Sequence, residues 1–165
     1  MKYLIGILFL SFTLTAFAQQ DSGFTNKAEA KNQLVNGQKE GKWNERVGED
    51  NEPTNDTGFH YYRLVIYKAG KPDGLSRQYF SDGILLREVP YKNGVINGML
   101  KEYYLSGKLR IECPFTNAKL NGIYKRYSED GNYIEETTYT NGVKGPTKHY
   151  DIQGNQYDEN GNKIK

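Results

Sequence analysis

The sequence predicts an all-β chain: an elongated array of antiparallel β-hairpins, about 24 residues per unit, joined into one twisted sheet. Three observations carry that expectation. Residues 98–122, GMLKEYYLSGKLRIECPFTNAKLNG, lie over 74–98 and over 122–145 at shifts of 24, the last copy being one residue short near its end. Fixed-period self-similarity of this length is the mark of a repeat architecture. Each copy also carries an X-Gly pair at one phase: Asp82-Gly83, Ser106-Gly107, Asp130-Gly131 and Gln153-Gly154. Finally, only 36% of residues are hydrophobic while 14 are Tyr and 7 Phe, and the mean hydropathy is −0.80. Aromatics exclude a disordered chain, and the scarcity of aliphatics excludes a thick core. A thin β structure built on tyrosine satisfies both limits.

In chain order, residues 1–18 read as a signal peptide. Lys2 is the positive end, 3–14 the apolar run, and Ala16-Phe17-Ala18 an A-x-A-like cleavage site. The run is too short for a transmembrane anchor, so the expectation is export to a periplasm, an outer surface or the medium. Residues 19–33 read as a flexible leader. The repeat domain then spans 34–165. Asn36-Gly37 through Trp43 is the tail of one unit and Tyr67 through Gly74 the tail of another. They are separated by 33 residues from Gly41 to Gly74 rather than 24. The excess is assigned to 44–58, NERVGEDNEPTNDTG, an acidic loop interrupting the first full hairpin. The final segment, 155–165, reads as a capping half-unit.

A Gly in a two-residue loop favours a primed turn, because Gly accepts φ > 0 and that twist suits paired strands. Centring loops on the four X-Gly pairs fixes the register. Arg77 then faces Glu88, Lys101 faces Glu112, Lys125 faces Glu136 and Lys148 faces Glu159. Opposite charges directly across a ladder contribute about 0.2–1 kcal/mol each, so these glutamates read as register-fixing rather than catalytic. Tyr79, Tyr103, Tyr127 and Tyr150 lie two residues along, on the same face. They form a stripe that serves as core or as a binding surface. The second connection of each unit reads Asn93-Gly94, Asn117-Ala118 and Asn141-Gly142, again a positive-φ signature. There Ala118 is expected either to strain its turn or to shift it to another type.

The pattern Y-x-N-G-x-x-x-G-x-x-K-x-Y-Y-x-x-G-x-L-x-x-E, running from about Asn36 to Gln156, resembles the MORN repeat variant (membrane occupation and recognition nexus), which occurs in exported bacterial proteins including YwqK-type antitoxins. The resemblance implies stacked hairpins and a role in protein contact or lipid binding. It implies no catalytic residues.

Other chemistries find little support. His60 and His149 are the only histidines, and neither has a Cys or His at ligand spacing, so no metal site is expected. Asp158 through Asn162 is half a calcium loop without the terminal Glu. The serines lack a nucleophile elbow, and no phosphate loop or other cofactor site is present. Cys113, the sole cysteine, excludes an internal disulfide. A net charge of +2 supplies no field for nucleic acid. The sequence therefore predicts a non-catalytic, exported scaffold for protein–protein interaction, antitoxin- or immunity-like, with partner unidentified. The alternative is a cell-envelope module that binds glycan or lipid headgroups through the tyrosine stripe. The candidate binding residues are Trp43, Tyr79, Tyr103, Tyr127 and Tyr150. Variation from unit to unit, as at Ser76, Leu100 and Tyr124, is the expected source of specificity; the insertion 44–58 beside Trp43 reads first as a tolerated loop, with a recognition element as the alternative.

Overall fold

Each 24-residue unit folds as an antiparallel hairpin that pairs edge to edge with the next. The computed structural model describes residues 23–50, 52–55, 58, 61–158 and 160–164. The signal segment 1–18, His60 and Glu159 therefore lie outside the described residues. The strands are β1 (Gln33–Val35), β2 (Gln38–Val47), β3 (Tyr61–Lys68), β4 (Lys71–Pro72), β5 (Gly74–Phe80), β6 (Leu85–Lys92) and β7 (Val95–Ile96). They continue as β8 (Gly98–Tyr103), β9 (Leu109–Thr116), β10 (Lys119–Leu120), β11 (Gly122–Tyr127), β12 (Tyr133–Thr140), β13 (Val143–Asp151) and β14 (Gln156–Tyr157). One open sheet holds them in the order β1-β2-β3-β5-β6-β8-β9-β11-β12-β13-β14, with β4, β7 and β10 folded back on β3, β6 and β9. The only helical element among the described residues is a 3-10 turn at Lys27–Glu29.

The X-Gly turns are longer than the two-residue loops the sequence suggests for them. The primed two-residue turns are the Asn-Gly ones: Asn93 and Gly94 both have positive φ (52° and 86°), and Lys92 pairs Val95 across them. Ala118 keeps that conformation at φ 61°, so the turn type is retained and the strain is borne by the alanine. In the first X-Gly turn Gly83 N–H donates to the Phe80 carbonyl and Phe80 N–H to the Ile84 carbonyl, which closes a three-residue loop with Gly83 at φ 99°. The same bonds close Leu105–Gly107 and Ile152–Gly154, whereas Ser128 N–H reaches Tyr133 and makes the third loop four residues long.

The register nevertheless comes out as expected. Tyr79 pairs Leu85 but Gln78 pairs Arg87, so Leu86 is an extra residue that restores the frame, and Arg110 does the same in the next hairpin. Arg77 faces Glu88, Lys101 faces Glu112, and Lys125 faces Glu136. The pairing also continues between hairpins: Glu88 faces Lys101, Glu112 faces Lys125 and Glu136 faces Lys148. Isolated pairs become one transverse row of alternating sign, from Arg77 to Lys148. The fourth partner, Glu159, lies outside the described residues; next to that turn Tyr150 pairs Gln156.

Period-two alternation divides the sheet into a front face, which carries this charge row, and a back face. On the back, Val89, Leu100 and Cys113 are buried against Tyr91, Ile96, Ile111, Phe115, Leu120 and Tyr124. Gly74, Gly98 and Gly122, at φ 109°, 126° and 128°, face Tyr91, Phe115 and Tyr139 across the pair. There the chain leaves a short strand for the next hairpin in a conformation that side chains resist. On the front, Phe24 is 5% exposed and packs with Tyr62, Leu64 and Tyr79. The part of 19–33 that is described thus lies on the sheet rather than free of it. Lys27 sits over the Tyr62 ring at 3.3 Å from its centroid, and Lys42 pairs with Glu29.

Candidate binding surfaces

The five candidate binding residues do not share one surface. Tyr79, Tyr103, Tyr127 and Tyr150 stand on the front face with the charge row, as period two requires. Trp43 pairs in register with Val65, one residue out of phase with the Asn44–Leu64–Arg77 row. Its ring meets Tyr67 edge-on at 6.0 Å between centroids, and its indole N–H donates to the Glu40 carbonyl. Trp43 therefore belongs to the back face.

The tyrosine stripe is held by its neighbours. Tyr79 is buried and stacks on Tyr62 at 5.0 Å. The Tyr103 hydroxyl donates to Glu88 at 2.7 Å, and the Tyr127 hydroxyl to Glu112 at 2.8 Å. Each tyrosine thus ties one unit to the glutamate of the unit before it. Burial and then these carboxylates push both phenols above their ordinary pKa. Arg77 also binds Glu88, at 3.0 Å, while Lys125 binds Glu136 at 2.9 Å. With both hydroxyls committed, the stripe acts chiefly as a strap between units.

A second charged row crosses the back face, unremarked in the sequence because its residue types change from unit to unit. It runs Glu45, Arg63, Gln78, Arg87, Glu102 and, further on, Arg126 with Glu135. Arg87 and Arg110 share the Glu102 carboxylate, each at 2.6 Å, and Arg126 meets Glu135 at 2.5 Å. At the start of this row Glu45, 6% exposed, takes Arg63 at 2.7 Å, the Tyr67 hydroxyl at 2.9 Å and Lys39. Burial works to raise the pKa of Glu45, but Lys39 and Arg63 outweigh it and hold the carboxyl below its ordinary value.

Two sequence-based assignments need correction here. The insertion is shorter than 44–58, because Asn44 through Val47 pair with Leu64 through Tyr61 inside β2. Glu45 belongs to that strand, and Val47 is fully buried. Of the rest of the insertion, Pro53 and Thr54 lie against β2: Thr54 N–H donates to the Arg46 carbonyl and Val47 bridges Pro53. The second correction concerns Ser76, Leu100 and Tyr124. They vary among units but lie on the back face, Ser76 and Leu100 buried and Tyr124 packed against the buried cluster, so they shape the interior rather than present a surface.

The outermost strands are closed by the chain itself. Along the free side of β2, Lys31 and Asn32 N–H groups reach the Lys42 carbonyl. The Asn32 amide then takes Asn44 N–H at 2.8 Å and donates to the Asn44 carbonyl at 3.2 Å, standing in for a peptide group of a further strand. At the other end β14 is two residues long, and Ile164 N–H covers the Gln156 carbonyl. Covered and shortened edges oppose strand-to-strand association. Beyond Phe24 the front face carries a row of Leu75, Pro90, Met99, Pro114 and Ile123 two residues from the charges, with Pro90 buried and Leu75 and Pro114 half-buried. Met99 is 37% exposed and Ile123 48%.

Residues 72–93, 96–117 and 120–141 match the family model of the MORN repeat variant. Each match ends at the Asn that opens a positive-φ turn, so one matched segment covers one hairpin. No curated protein matches the sequence. MORN repeats are binding modules for proteins or membranes. The flanking hairpins β2–β3 and β13–β14 carry the same pairing beyond the matched segments.

Proposed function

We propose that the chain is a non-catalytic scaffold, exported through its N-terminal segment, whose front face docks a protein partner. An antitoxin- or immunity-like role is one form of this reading. The observation that carries it is the contrast between edges closed by the chain's own amides and an apolar row left exposed at Met99 and Ile123. An exposed apolar row rimmed by charge is the usual composition of a protein contact. The alternating charge row beside it has little net sign, so it favours a matched protein surface over a strongly charged polymer. Engagement of the Tyr103 and Tyr127 hydroxyls by Glu88 and Glu112 weighs against the glycan or lipid-headgroup reading.

The test is capture from the cell envelope with the immobilised chain, comparing Met99→Asp/Ile123→Asp with a control, Val95→Asp/Val143→Asp, at the turn margin. The reading expects both doubles to melt like the parent and only the first to lose its partner. Equal capture by all three proteins refutes it.

A further inference from the structure

The last hairpin departs from its own repeat at one place on the back face. In the inner units the position next to the stripe tyrosine holds Gln78, Glu102 or Arg126, members of the charged row; in the last it holds His149. Two residues past the turn glycine, Leu85 and Leu109 are followed by Tyr133. His149 and Tyr133 come together: their rings lie within 20° of parallel, 5.6 Å between centroids, and the Tyr133 hydroxyl and His149 Nδ1 are hydrogen-bonded. Tyr157 pairs His149 in register from β14. These side chains line a cleft of about 370 Å³ together with Asp151, Asp158 and Gly161. Among the described residues no Lys or Arg lines it. Glu135, the other carboxylate beside His149, is already paired with Arg126. Both aspartates are kept ionised by donors: Asp151 by Asn155 and the Tyr157 hydroxyl, Asp158 by Asn162 and the Asn160 N–H.

Aromatic faces beside fixed carboxylates, with no Lys or Arg in the lining and the neighbouring Arg126 paired to Glu135, suit one ligand chemistry. The quadrupole of each ring attracts a positive charge, and a methylated ammonium presents apolar surface to the rings while remaining charged. We propose that this cleft binds a small alkylammonium group, its methyls against Tyr133, His149 and Tyr157 and its charge toward Asp151 and Asp158. In the unit of Glu102 the equivalent position is instead a carboxylate already paired with Arg87 and Arg110.

Choline chloride is the probe, titrated against sodium chloride at matched ionic strength. In a His60→Gln background His149 gives the single imidazole proton signal, read by NMR. A saturable shift is expected in the millimolar range. The uncharged isostere 3,3-dimethylbutanol should bind about tenfold or more weakly, the loss of a cation–ring attraction. Tyr133→Leu, which installs the residue already used at 85 and 109, should fold like the parent by circular dichroism and weaken choline about tenfold; Tyr157→Leu should do likewise. Flotation with phosphatidylcholine vesicles separates the sources: co-flotation assigns the group to a lipid headgroup, and its absence beside a saturable choline shift assigns it to a free cation. A shift that never saturates, equal binding of the isostere, or unchanged affinity in the folded Tyr133→Leu protein overturns the proposal.

Discussion

Replacing Glu45 with alanine should melt the start of the array before the rest. Glu45 is 6% exposed and holds Arg63, Lys39 and the Tyr67 hydroxyl together. Removing one partner of a buried pair costs about 3–5 kcal/mol, because the other charge is left without compensation. The Arg63 side chain retains 18% exposure, which lets water recover part of that loss and points to the lower end, about 3 kcal/mol. In a repeat array the loss falls on the damaged unit and its neighbours. Trp43 is the only tryptophan and packs on Tyr67, so its fluorescence reports that end, while circular dichroism reports the whole sheet. The fluorescence midpoint should fall by roughly 10 °C, at about 2–4 °C per kcal/mol for a chain of this size, and the dichroism midpoint by less. A fluorescence midpoint within 2 °C of the parent would refute the argument. The pH dependence follows from the same contacts. The folded carboxyl titrates below its ordinary value, so its stabilisation is complete above that value and fades as pH drops through the folded pKa. The acid limb of the parent's stability should therefore be shallower in Glu45→Gln.

Ala118→Gly relieves an alanine held at φ 61°; about 1–2 kcal/mol of strain offset by about 0.4–1 of added unfolded-state entropy leaves a gain near 0.5 kcal/mol, seen as a higher urea midpoint. Gly122→Ala should cost about 1–3 kcal/mol, since φ is 128° and the new Cβ would stand 2.7 Å from the Pro114 Cγ, and its urea midpoint should fall accordingly. Cys113 is buried, and burial pushes its thiol up to about 11. A thiol-disulfide reagent at pH 8 should label it at least about a hundredfold faster in denaturant than in the folded chain.

The hairpin frame was legible because its causes are local. Asn93-Gly94 and Asn141-Gly142 choose a turn through their own φ preferences, and period two carries the consequence along each strand to Arg77–Glu88 and Lys125–Glu136. The X-Gly loops show where local reading thins. A glycine at positive φ suits both a two-residue turn and a three-residue turn, and the extra residues Leu86 and Arg110 then restore the frame. The back-face row, Arg87–Glu102 and Arg126–Glu135, was missed because its residue types change with each unit: the first pair joins adjacent hairpins and the second lies within one.

Sequence alone determined the repeat, the antiparallel pairing, the charge pairs within each hairpin and the shared face of the four tyrosines. All follow from residues within one 24-residue unit and its copies. Tertiary structure decided that Trp43 faces the back, that 44–47 is strand, that Phe24 packs on the front face, and that Asn32 and Thr54 cover the free side of β2. It also brought Tyr133, His149 and Tyr157 together at the last hairpin. These depend on contacts where the repeat stops. At an array's ends no neighbouring copy satisfies the free backbone groups or covers the last side chains, so segments outside the period must do so, and no periodicity announces which they are.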